Sequence, residues 1–150
     1  MYLYGSDGKC RWRPDVNRIP ASERKTIRRS QDAYEIFRLL WQDGTDHVES
    51  FGVLLLNRAN KCLGFKWVSK GGTSGTVVDP KIVFQTALLA HASGIILCHN
   101  HPSGNTIPSD ADTKITRKIK DCGLLLDVAV LDHIIVGDDR FYSFSDEGCL

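Results

Sequence analysis

The chain has 150 residues, 42% of them hydrophobic and 25% charged, with a formal net charge of +1. That length and balance fit one soluble globular domain with a full core, and exclude a disordered or fibrous chain. No apolar run reaches membrane-spanning length and the N-terminal "MYLYGSDGKCRW" lacks a signal-peptide core, so a cytoplasmic protein without membrane contact is predicted.

Charge is unevenly spread. Residues 1–30 hold eight Lys or Arg against three acidic side chains, a net +5, whereas the other 120 residues carry a net −4. Residues 1–29 are read as a basic leader and 30–150 as the folded domain. Such a leader could make weak, sequence-independent contact with nucleic acid through phosphates, or be a solvated arm that packs on, or trails from, an acidic domain. The spread-out Trp12, Trp41 and Trp67 form no base-stacking platform.

Beyond the leader, "SQDAYEIFRLLWQ" has Ser30 as N-cap and Tyr34, Phe37, Leu40 and Trp41 at helical spacing. "VESFGVLLLN" and "KCLGFKWVS" read as a hairpin across Arg58-Ala59-Asn60, followed by the Gly-rich loop "KGGTSGT". "DPKIVFQTALLAHA" opens with Asp79 as N-cap and Pro80 at the first helical position. The apolar strand "GIILCHN" comes next, then a Pro/Gly turn and a helix from Ser109 with Gly123 as its C-cap. "LLLDVAVLDHIIVGDDRFYSF" supplies two or three closing strands. This order predicts an α/β domain with a mixed β-sheet flanked by helices.

Chemistry concentrates in "HNHPSGNTIPSDAD", residues 99–112. On a strand, side chains at i and i+2 leave the same face, so His99 and His101 point together while Cys98 and Asn100 point away. Asp112 stands in the first turn of the next helix. Two imidazoles and one carboxylate match the three-ligand set of a catalytic zinc ion, which keeps its fourth position for water. Ser109-x-x-Asp112 also fits a capping box, a purely structural use of the same residues. The five cysteines form no CxxC pair, so neither a disulfide framework nor a cysteine zinc finger is predicted. Glu49 shares a strand face with Phe51, Val53 and Leu55, which makes it a candidate general base, or a solvated strand end. His133 is either an outer partner of a ligand histidine or a buried histidine paired with Asp132. His47 and His91 read as surface or helix-end residues.

The pattern E-x-x-G-x-L, met by Glu49 to Leu54, followed by H-x-H-x(7)-S-x-x-D, met by His99, His101, Ser109 and Asp112, resembles the signature of JAMM (MPN-type) metalloproteases. The strings "HNHPSG", "PSDAD" and "LDHIIVG" are similar to the RadC subfamily, over about residues 30 to 150. The resemblance implies a three-layer fold related to cytidine deaminases. It implies Zn2+ on His99, His101 and Asp112, Glu49 as base, and Ser109 as hydrogen-bond donor to a tetrahedral intermediate. The expected function is zinc-dependent hydrolysis of a peptide or isopeptide bond in a peptide or protein substrate. The alternative is a DNA-repair-associated or nucleic-acid-binding module that does not use its zinc for proteolysis. A deaminase needs H-x-E followed by P-C-x-x-C, a signature this sequence lacks.

Overall fold

The computed structural model describes residues 2–4, 10–12, 24–41, 48–71 and 77–150. The expectations placed on His47, on leader residues 13–23, on the side chain of Trp12 and on the Gly-rich loop at 72–76 lie outside the described residues. In chain order the elements are β1 (Tyr2–Tyr4), β2 (Cys10–Trp12), α1 (Ser30–Leu40), β3 (Ser50–Leu56) and β4 (Cys62–Lys70). They continue with α2 (Pro80–Leu89), β5 (Gly94–Asn100), α3 (Asp110–Leu125), β6 (Ala129–Val136) and β7 (Phe141–Ser143).

The strands form one sheet in the order β2-β1-β4-β3-β5-β6-β7. Among the described residues only β5 and β6 run parallel, joined by the crossover helix α3, so the sheet is mixed. Strand alternation sorts the core into two layers. Leu54, Leu56, Ile96 and Cys98 meet Ala33, Ile36 and Phe37 of α1 on one face. Phe51, Val53, Leu55, Ile95 and Leu97 meet Val83, Phe84 and Ala87 of α2 and Ile119 of α3 on the other. This is the expected α/β architecture, a mixed sheet between helical layers. Because α3 covers the face of Ile95 and Leu97, its N-terminus arrives beside whatever next leaves β5 on that face.

Helix starts follow the sequence closely. Asp79 caps α2 by accepting the Lys81 N–H at 2.9 Å, with Pro80 at the first position. In α1 the cap position falls on Arg29 rather than Ser30. Asp32 satisfies the free N–H groups of Arg28 and Arg29 instead, at 2.8 and 3.2 Å, and the Ser30 hydroxyl donates to Asp146. His91 lies just past the α2 cap, exposed and at φ +52°, a helix-end residue as its sequence position suggests.

Gly123 is not the C-cap. The helix runs on to Leu125, the left-handed position falls on Asp127 (φ +53°), and the Val128 N–H returns to the Gly123 carbonyl at 3.0 Å. Glycine is required at 123, inside the last turn of the helix and ahead of the cap at Leu126, because the reversing chain presses on the helix there. A Cβ at 123 would stand 2.4 Å from the Val128 carbonyl oxygen. An alanine there gains about 1 kcal/mol of helix propensity but meets backbone, where such overpacking costs about 1–3 kcal/mol. Because the contact is with backbone that cannot swing aside, the cost lies in the upper part of that range, and Gly123→Ala is expected to lower stability by up to about 2 kcal/mol in urea denaturation. An unchanged or raised midpoint contradicts this packing.

Candidate metal centre

Beyond Leu97 on the α2/α3 face of the sheet, β5 next presents His99, and His101 follows immediately after the strand. The turn after it is pinned at several points. The His101 N–H donates to the Val136 carbonyl at 3.1 Å, the Gly104 N–H donates to the His101 carbonyl at 2.9 Å, and Gly104 takes φ +73°. The His101 Nδ1 lies 2.6 Å from the Asn105 carbonyl, which can only accept. In the neutral ring that bond therefore places the proton on Nδ1 and leaves the lone pair on Nε2, facing the cleft.

At the far end of the turn the capping box forms. The Asp112 N–H donates to Ser109 Oγ at 3.1 Å, and Asp112 Oδ2 accepts the Ser109 N–H at 2.7 Å and its hydroxyl at 2.6 Å. The structural and metal-ligating uses of this motif prove compatible, since the capped carboxylate still faces both imidazoles. Asp112 Oδ1 lies 3.1 Å from His99 Nε2, Oδ2 lies 3.4 Å from His101 Nε2, and the two Nε2 atoms are 2.9 Å apart. The three side chains offer donor atoms within 4.8 Å of one another and could hold a metal ion. Ligands around one zinc at about 2.0–2.1 Å stand about 3.3 Å from each other, so nitrogen and oxygen donors at these separations fit such an ion.

Electrostatics agree with a cation site. Burial opposes the charge on Asp112, yet the neighbouring His101 and His99 rings and the hydrogen bond from the Ser109 hydroxyl hold its carboxyl well below the usual carboxylate range. The Asp112 carboxylate beside it raises the pKa of His101 against the effect of burial, and the Glu49 charge adds to that rise. Glu49 stands one residue before β3, half-buried. The antiparallel register pairs Phe51 with His99; carried two places on it would set Glu49 opposite His101, in keeping with the effect of the Glu49 charge on that ring. Asn100 holds its backbone from both sides, accepting the Ser50 N–H at 2.7 Å and donating to the Val48 carbonyl at 2.9 Å.

The structure thus brings Glu49, His99, His101, Ser109 and Asp112 to one place, with Ser109 at the exposed rim. Cys98 is buried in the α1 core, where desolvation pushes its thiol pKa well up, so it takes no part. His133 is fully buried between Phe51 and Phe144. Burial there pushes its pKa well below the imidazole range. Its ring meets His99 and Thr116 rather than Asp132, whose carboxylate takes the His133 and Ser145 N–H groups and the Ser143 hydroxyl. Thr116 was not among the residues singled out by sequence. Its only local signal is a polar side chain one turn after Asp112 on the buried stripe of α3.

The chain matches the family described as RadC-like JAB domain over residues 27–149. A protein of Flavobacterium johnsoniae, named UPF0758 protein, is 48% identical over 124 residues, covering 83% of this chain and 53% of that protein. Proteins of the same name from Geotalea uraniireducens and Porphyromonas gingivalis are 38% identical over 136 residues and 39% over 137. These two matches cover 90% and 89% of this chain and 60% of each relative. The chain spans about half the length of the curated relatives it matches.

Proposed function

This chain belongs to the RadC-like JAB domain family, and from that premise we propose that it is a zinc-dependent metallohydrolase that cleaves a peptide or isopeptide bond in a peptide or protein substrate. The observation that carries this reading is the convergence of two imidazole nitrogens and one carboxylate held in its ionised form, with a second carboxylate, Glu49, close enough for its charge to act on His101. A site with a purely structural metal needs no such second carboxylate.

His99, His101 and Asp112 would hold the ion, which when bound supplies Lewis acidity and lowers the pKa of a water. Glu49 accepts the proton of the attacking water and later delivers it to the leaving amine. Asn100 keeps that carboxylate over the cleft by clamping Val48 and Ser50. Ser109 is the proposed donor to the carbonyl oxygen that becomes an oxyanion. Its hydroxyl donates to Asp112 Oδ2 in this structure, so that role requires the hydroxyl proton to turn about the Cβ–Oγ bond, which leaves the cap on Oγ in place. Among the described residues no helix is long and apolar enough to cross a membrane.

The test is a panel of peptides and isopeptide-linked substrates offered to zinc-loaded and chelator-stripped protein. Cleavage is expected only with metal, and should return when zinc is restored. Cleavage that survives complete stripping contradicts the reading.

A further inference from the structure

His99 makes a contact that hydrolytic chemistry does not itself require. Its Nδ1 lies 2.9 Å from His133 Nε2, and His133 Nδ1 lies 2.6 Å from Thr116 Oγ1. Thr116 Oγ1 in turn lies 2.6 Å from the Asp112 carbonyl, one helical turn back. All the linking groups are buried, His133 completely and Thr116 to within 3%. The circuit closes on itself, since Asp112 supplies its carbonyl to Thr116 and its carboxylate to the site.

The direction of every proton in this circuit follows from one end. A carbonyl oxygen can only accept, so the Thr116 hydroxyl donates to Asp112. The hydroxyl has one proton, so its lone pair must accept from His133 Nδ1–H. A neutral imidazole protonated on Nδ1 is an acceptor at Nε2, so His133 Nε2 accepts from His99 Nδ1–H. His99 is left with its lone pair on Nε2, the atom 3.1 Å from Asp112 Oδ1. The opposite polarity would put a proton on the very nitrogen that faces the other ligands.

We propose that Thr116 and His133 are positioning residues that lock His99 in its Nδ1–H tautomer and so present Nε2 to the metal. His101 obtains the same tautomer from a backbone carbonyl, whereas His99 depends on side chains of α3 and β6. This proposal rests on the metal reading above for its consequence, but the tautomer itself is a property of the metal-free protein.

The experiment uses the full chain and two substitutions at one position. Thr116→Val keeps the shape and removes the hydroxyl; Thr116→Ser keeps the hydroxyl and removes a methyl group. Ring 15N spectra of metal-free wild-type protein should show His99 protonated at Nδ1, and Thr116→Val should lose that preference. Zinc affinity, measured by competition with a chromogenic chelator, should fall about 10–100-fold in Thr116→Val, the usual effect of losing an outer partner of a metal-bound histidine. Thr116→Ser should stay near wild type in both readouts. A purely packing role predicts the reverse order, because valine fills the site and serine does not. The proposal is overturned if wild-type His99 is protonated at Nε2, or if the folded Thr116→Val protein retains the wild-type tautomer. It is equally overturned if serine is as damaging as valine. A wild-type chain that binds no zinc but shows Nδ1–H on His99 would remove the metal reading and leave the tautomer lock standing.

Discussion

Replacing Asp112 with asparagine is expected to reduce zinc affinity by well over the ~10–100-fold typical of changes one step removed from a metal. Asparagine keeps the size of the side chain and an oxygen able to accept the Ser109 N–H, so the start of α3 should survive. What it removes is the one negative charge among the three candidate donors. That charge is unusually committed, because the surrounding imidazoles and the Ser109 hydroxyl hold it ionised despite burial. Asp112→Ala should lose the metal equally and also destabilise the fold by about 1 kcal/mol through the lost cap. Isothermal titration with zinc, alongside circular dichroism, separates the two effects. Wild-type affinity in the asparagine variant would remove Asp112 from the ligand set.

Glu49→Gln should leave zinc binding and folding intact and lower the hydrolytic rate by about 10²–10⁴-fold, the usual worth of a positioned general base. The amide occupies the same volume but cannot take a proton from water. Asn100 bonds the backbone on both sides of residue 49, so the substitution has no reason to shift the strand. The loss should fall on kcat rather than KM, since proton transfer belongs to the transition state. Undiminished turnover by the glutamine variant on a substrate that the wild type cleaves would exclude Glu49 as the base.

Much of the site was legible because its parts lie on local periodicities. Strand alternation alone puts His99 and His101 on one face and Cys98 on the other, and the capping-box spacing places Asp112 in the first turn of α3. Glu49 is legible as to face, but its nearness to His101 depends on the β3–β5 register, which no local pattern encodes. His133 and Thr116 are further out of reach. Their meeting requires β6 to lie parallel to β5 with a register shift near Ile95 and Ile96, and α3 to cross above both. The same limit explains Gly123. It looks like a helix terminator, yet its lack of a side chain answers a contact with Val128, five residues on. Strands β1 and β2 were hidden for another reason, since three-residue strands in a basic segment carry too short an alternation to read.

The central claim is that two imidazoles and a carboxylate hold one zinc ion and leave a position open. X-ray absorption at the zinc edge of the loaded protein tests it most directly, because nitrogen or oxygen neighbours at about 2.0–2.1 Å are distinct from sulfur at about 2.3 Å. The expected spectrum is a four-coordinate shell of nitrogen and oxygen only, with outer-shell scattering from two imidazole rings and one equivalent of metal per chain. A shell containing sulfur, or one without imidazole scattering, would contradict the assignment of His99, His101 and Asp112.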